Sequence, residues 1–173
     1  RLRGDRTETK VGVLANQTGL TLDGRRTIDV LAHAPGIKLA AIFSPEHGAQ
    51  GELDTTEIGD TVDKATGVKV INVYGATDGA RRPQPEAMQG LDAVVIDIQD
   101  VGARFFTYET TMGYFLEAAA KAGAEVFVLD RPVPVGGTMV QGPVSDVRPS
   151  FVNYHPLPIR HGMTMGELAQ LFN

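Results

Sequence analysis

Glu46 and His47 are an acid and an imidazole placed where an apolar run gives way to a turn, and such a pair can donate and accept protons. They lie in Ser44-Pro45-Glu46-His47-Gly48, directly after the apolar residues 39–43. Proline cannot extend a central ladder and holds the residue before it extended. The strand must therefore stop there and present the next two side chains at its carboxyl end. Gly48 and Gly51 let the backbone turn away. Other apolar runs end in the same kind of residue. Residues 11–15 lead into Asn16, Gln17 and Thr18, residues 68–73 into Tyr74, and residues 125–129 into Asp130 and Arg131. Residues 93–98 contain Asp97 and lead into Gln99 and Asp100. In an open parallel sheet these ends share one edge, the edge at which ligands bind. A lone Glu-His pair reads as a solvated turn; five polar strand ends along one edge read as a cleft.

The elements that must hold these residues follow from periodicity. Strands at 11–15, 38–43, 68–73, 93–98 and 125–129 alternate with helical or turn segments. Residues 25–34 carry Ile28, Leu31 and Ala32 at helical spacing before Pro35-Gly36. A short helix over 85–89 is closed by Gly90. The strongest helix spans 107–122, with Tyr108, Met112, Phe115, Leu116 and Ala119 on one face and Gly123 as its stop. Residues 1–10 read as a polar lead-in, 51–64 as an acidic excursion without an element, and 133–158 as a Pro- and Gly-rich stretch with brief extended pieces. Thr164-Met165-Gly166-Glu167 has capping-box spacing, so a last helix starts near Met165. The alternation predicts an α/β fold with a mostly parallel sheet of about five strands and crossover helices.

With 173 residues, 42% of them hydrophobic, one well-buried core is expected. A net charge of -5 and the lack of basic runs argue against nucleic acid or an anionic membrane surface as partner. No apolar stretch is long enough to span a bilayer. The absence of cysteine removes disulfides, thiolate metal sites and a cysteine nucleophile. The turn after the first strand, Asn16-Gln17-Thr18-Gly19-Leu20, lacks the Gly-x-Gly-x-x-Gly of a dinucleotide site. Neither a P-loop nor a Gly-x-Ser-x-Gly nucleophile elbow occurs. No cofactor is expected. Two chemistries remain open on residue types alone. Asp97, Asp100 and Asp130 have the hard oxygen ligands that suit Mg²⁺ in a phosphoryl-type hydrolysis. Glu46 has the group that protonates a leaving oxygen in glycoside hydrolysis. Against these, Asp97 reads equally as a cap of the next turn, Asp130 as a local ion pair with Arg131, and Arg104 as a partner of Asp97 or Asp100. His33 reads as an ordinary helix residue and His155 as a structural one.

Four motifs occur together and in order: Ser44-Pro45-Glu46-His47-Gly48, Asp97-Ile98-Gln99-Asp100-Val101-Gly102-Ala103-Arg104, Leu129-Asp130-Arg131-Pro132, and His155 through Thr164 with Arg160-His161-Gly162 at its centre. With the opening residues 11–19, this set resembles the bacterial exo-β-N-acetylmuramidases of the NamZ family. The resemblance implies a Rossmann-like N-terminal domain, helices on both faces of its sheet, and a second domain closing the active-site cleft. Residues 1–163 would form the first, and 164–173 the start of a helix leading to the second. It implies removal of N-acetylmuramic acid from non-reducing ends of peptidoglycan strands, outside the cytoplasm, with Glu46 as the favoured catalytic residue. His47, Asp97 and Asp100 are the further catalytic candidates. Asn16, Gln17, Tyr74, Arg104, Tyr108, Asp130, Arg160 and His161 are candidates for holding a muramyl saccharide, Arg104 first because a guanidinium grips a lactyl carboxylate bidentately. Val133-Pro134-Val135-Gly136-Gly137 departs from the Asn-Pro-Leu-Gly-Gly expected there, a less polar loop.

Overall fold

The computed structural model describes residues 8–52, 55 and 59–173. Six strands form one sheet: β1 (Thr9–Ala15), β2 (Ile37–Ser44), β3 (Thr61–Val62), β4 (Lys69–Asn72), β5 (Ala93–Asp97) and β6 (Glu125–Val128). Their spatial order is β3-β4-β2-β1-β5-β6. All neighbours are parallel except β3, which runs antiparallel to β4. From β1 the chain winds outward through β2 and β4, then returns to lay β5 and β6 on the other side of β1. The order therefore reverses between β1 and β5, the point where a doubly wound sheet opens a crevice at its carboxyl edge.

Helices cover both faces. On one, Ile28 of α1 (Thr27–Ala32) packs with Val11, Val13, Ala15, Leu39 and Ile42. On the other lie α2 (Pro85–Met88), α3 (Tyr108–Ala122) and α4 (Met165–Phe172). They bury Met88, Met112, Phe115, Met165 and Leu168 against Leu14, Phe43, Val94 and Ile96. Val13 and Leu14 fall in opposite clusters because successive strand side chains point to opposite faces. A strand covered on both sides has no polar face to show, which is why these strands read as unbroken apolar runs. Phe115 meets Phe43 edge-on at 4.9 Å, tying α3 to β2. Gly123 ends α3 in the left-handed conformation, φ 68°, which glycine takes without a Cβ clash.

Several bounds differ from those read in the sequence. The first helix is shorter than 25–34, because Arg26 keeps an extended backbone and ties its side chain to Asp29 and Asp63. Segment 51–64 holds the short, exposed edge strand β3, while residues 53–54 and 56–58 of that segment, like 1–7 of the lead-in, lie outside the described residues. Within 133–160 the chain forms β7 (Gln141–Val144) and β8 (Pro158–Arg160), a separate antiparallel pair. The capping box of α4 is present, Thr164 Oγ1 accepting from Glu167 N at 3.2 Å and Glu167 Oε2 from Thr164 N at 2.9 Å. Met165 and Leu168 are buried in the core shared with α3, so α4 packs into this unit. Among the described residues no helix is long and apolar enough to cross a membrane.

Candidate active site

Pro45 ends β2, and the turn after it carries His47 at φ 69°, a conformation that costs a non-glycine residue on the order of 1 kcal/mol or more. His47 is exposed and Glu46 half-buried. Glu46 Oε2 accepts the Thr107 hydroxyl, and its backbone carbonyl accepts Tyr108 OH at 3.3 Å. Thr107 is the N-cap of α3, yet its side chain makes no capping bond to the helix. That hydroxyl is directed to Glu46 instead. The Asn16 side chain lies beside Tyr108. Burial of Tyr108 raises its phenol above the ordinary value, opposed by the neighbouring Asn16 amide and reinforced by the Glu46 charge.

The turn after β1 completes this rim. Asn16 Oδ1 accepts the Thr18 amide at 2.9 Å and the Thr18 hydroxyl at 2.6 Å. Thr18 Oγ1 in turn accepts the Gln99 amide at 3.0 Å, joining the ends of β1 and β5. Gln17 lies against the turn after β2, since a Cβ on Gly51 would stand 2.3 Å from its amide group. Asn16 Nδ2 and Ser44 Oγ are buried at the ends of adjacent strands, and among the described residues neither has a hydrogen-bond partner. Asn16, Gln17, Glu46 and Tyr108 thus come together. A carboxyl held by one hydroxyl and still half open can deliver a proton to a leaving oxygen.

Directly behind the rim lies a buried acid–acid–imidazole group. Asp100 is 1% exposed, Glu109 0% and His161 3%. His161 Nε2 stands 3.8 Å from Asp100 Oδ1 and 3.7 Å from Glu109 Oε2. Asp100 Oδ1 also accepts the Gly102 amide at 2.6 Å. Gly102 takes φ 94° there and leaves no room for a side chain, since an added Cβ would meet Val133 and Val135 at 2.6 Å. Burial pushes the Asp100 carboxyl up to about 6, against the pull of the Gly102, Glu109 and Ala103 amides. Burial, with the Asp100 charge adding and Arg104 opposing, pushes Glu109 up to about 9. Burial lowers the His161 imidazole below its usual value. Asp100 and His161, read from sequence as facing a substrate, instead face inward. Thr107 and Glu109 were not singled out in the sequence. Glu109 shares the helical face of Met112 and Leu116, three and seven residues on, and an acid on an apolar stripe was the available signal.

The remaining candidates are placed elsewhere. Asp97 is 1% exposed, accepts the Thr27 hydroxyl and forms an ion pair with Arg131. Arg131 also holds the Thr18 carbonyl at 2.6 Å, so Asp97 braces the floor under the rim where a turn cap was the bland expectation. Asp130, expected beside Arg131, accepts instead from Thr164 Oγ1 at 2.7 Å and Gly166 N at 2.9 Å, anchoring the start of α4. The three aspartates read as a possible Mg²⁺ set thus serve three different partners. Among the described residues no group of three or more His, Cys, Asp or Glu is arranged to hold a metal ion. Arg104 pairs with neither Asp97 nor Asp100; its Nη1 donates to the carbonyls of Leu157 and of Pro143, the latter at 3.1 Å. Arg160 binds Gln141 Oε1 at 3.1 Å and the Val135 carbonyl. Tyr74 packs on Phe151 at 5.9 Å with Arg81 over its ring, part of an aromatic group that continues to Tyr114. That group borders clefts of about 610 and 490 Å³ on the flank of α3, where Arg82 bridges Asp78 and Glu117 over the Tyr114 ring.

Comparison with known proteins bears on this arrangement. The family model described as exo-β-N-acetylmuramidase NamZ, N-terminal, matches residues 11–173. The chain is 44% identical over 166 residues to the peptidoglycan β-N-acetylmuramidase NamZ of Bacillus subtilis strain 168, covering 95% of this chain and 39% of that protein. Two crystal structures of DUF1343 family proteins from Bacteroides fragilis NCTC 9343 share the fold. One has a TM-score of 0.85 and 41% identity, over 96% of this chain and 42% of its own. The other has a TM-score of 0.76 and 35% identity, over 94% and 41%. The chain therefore spans about two fifths of the length of the relatives it matches.

Proposed function

Because the chain belongs to the exo-β-N-acetylmuramidase NamZ family, as its N-terminal domain, we propose that it supplies one wall of the active site of an exo-acting glycosidase on peptidoglycan. The observation that carries this reading is the hold on Glu46 by Thr107 and Tyr108 at the carboxyl edge of the sheet, beside Asn16 and Gln17. The substrate is a glycan strand with N-acetylmuramic acid at its non-reducing end, and the product is the free sugar. Glu46 donates its proton to the glycosidic oxygen as the bond to the anomeric carbon breaks, so the leaving sugar departs as an alcohol; a water then supplies the hydroxyl of the freed anomeric carbon and the proton that restores Glu46. Thr107 keeps the carboxyl turned toward that oxygen. Gln17, exposed on the same rim against the turn that follows Glu46, is placed to take sugar oxygens. Arg104 meets the lactyl carboxylate: Nη1 anchors the side chain to two carbonyls, and Nε and Nη2 make no hydrogen bond among the described residues. Action on the wall places the protein outside the cytoplasm.

Turnover of a muramyl-terminated glycan by the full-length protein, with Glu46→Gln as control, tests the reading. Loss of turnover with retained glycan binding in the variant is the expected result. Binding without turnover in the wild type would instead make this edge a sugar-gripping module.

A further inference from the structure

The buried group behind the rim is not used in the reaction above. Asp100, Glu109 and His161 come from three separate stretches, the loop after β5, the first turn of α3 and the segment after β8. Met163 N donates to His161 Nδ1 at 3.2 Å, so Nδ1 is the acceptor and the ring proton sits on Nε2, between the two carboxyls. Glu109 Oε1 and Oε2, Asp100 Oδ2 and His161 Nε2 have no hydrogen-bond partner among the described residues, so the three groups meet as close polar contacts. Two ionised carboxylates at such a buried site repel strongly, so one keeps a proton. Glu109 is that one, and Arg104 is the nearby cation that opposes it.

Glu109 follows Thr107 and Tyr108 directly, and these are the residues that grip Glu46. Thr107 is the N-cap and Tyr108 and Glu109 open the helix, so a shift of the first turn carries the backbone of all three with it. We propose that Glu109 is a positioning residue for Glu46: its buried carboxyl, 3.7 Å from the His161 Nε2 that also faces Asp100, fixes the first turn of α3 from which Thr107 and Tyr108 hold the acid. This rests on the reading of Glu46 as the proton donor.

The test compares Glu109→Gln, Glu109→Leu and Glu46→Gln in the full-length protein on a muramyl-terminated glycan. Glutamine is neutral, close to the carboxyl in shape and keeps both donors and an acceptor; leucine keeps neither. Glu109→Leu should lower kcat by roughly 10²-fold with KM little changed, the scale expected when a reacting group is misplaced by about an ångström. Glu109→Gln should hold kcat near wild type at neutral pH. Above pH about 9 the wild-type log kcat should fall with an added unit of slope as Glu109 ionises beside Asp100, and Glu109→Gln should lack that added slope. With Glu46→Gln inactive, unchanged kcat and pH profile in both Glu109 variants would overturn the proposal and leave the acid assignment standing. A rise in KM alone would overturn it too. Wild-type turnover by Glu46→Gln would remove both. Should Glu109→Leu not fold, the high-pH slope of Glu109→Gln decides, and superimposable profiles reject the proposal.

Discussion

Replacing Glu109 by glutamine should change how stability depends on pH, and by an amount the structure sets. The Glu109 side chain is fully buried, and its carboxyl stands at about 9 in the fold against an ordinary 4.5. The unfolded chain releases the proton near 4.5 and the folded chain keeps it to about 9, so the folded state binds the extra proton between these values. Its contribution to stability is therefore complete below pH 4.5 and lost progressively as pH rises to about 9. The loss runs at about 1.4 kcal/mol per pH unit. Glutamine fits the same site without a proton to lose, and any packing offset it brings is the same at every pH. Between pH 5 and pH 8 the variant should gain about 4 kcal/mol on the wild type. Urea unfolding at half-unit pH steps reads this directly as a widening gap between midpoints. Parallel curves would show that Glu109 titrates alike in both states and would refute the buried-acid argument.

Asp97→Asn leaves Arg131 facing a lost counter-charge and should cost roughly 3–5 kcal/mol in chemical unfolding. A variant of unchanged stability and collapsed kcat would instead make Asp97 part of the chemistry. Arg104→Ala should weaken muramyl-terminated glycans by roughly tenfold or more while sparing analogues without the lactyl carboxylate, in titration calorimetry on the full-length protein. Equal losses on both would return Arg104 to a purely structural role. A strong chelator should leave turnover unchanged, since Asp97, Asp100 and Asp130 each serve a different partner; loss restored by Mg²⁺ would revive the metal reading.

The centre of the sheet was legible because β1, β2 and β5 are buried on both faces, so each announces itself as an apolar run whatever it pairs with, and β6 read the same way although its Phe127 stays exposed. β3 was not, having two exposed residues that pair only because β4 offers an open edge. The brief extended pieces read in 133–158 are present as β7 and β8, but their pairing was hidden, since Gly142 and Pro143 interrupt any strand pattern. At the site the local signals worked. Pro45 and the glycines after it do deliver Glu46 to the carboxyl edge, and Asn16 and Tyr108 meet it there. What sequence could not supply was pairing across distance. Asp97 finds Arg131 thirty-four residues on, and Asp100 finds His161 across the sheet edge and the β7–β8 pair. These encounters take two residues from the surface expected for them and turn them inward. Thr107 was missed for a related reason: read as the first residue of the 107–122 helix, it gave no sign that its hydroxyl turns to Glu46.

The claim that Glu46 is the proton donor is tested most directly by leaving-group dependence. A glycan leaving group needs a proton, whereas an activated nitrophenolate departs without one. In the full-length protein Glu46→Gln should lose roughly 10²–10⁴-fold in kcat on the glycan. It should lose far less on the nitrophenyl muramide. Equal losses on the two substrates would contradict the assignment.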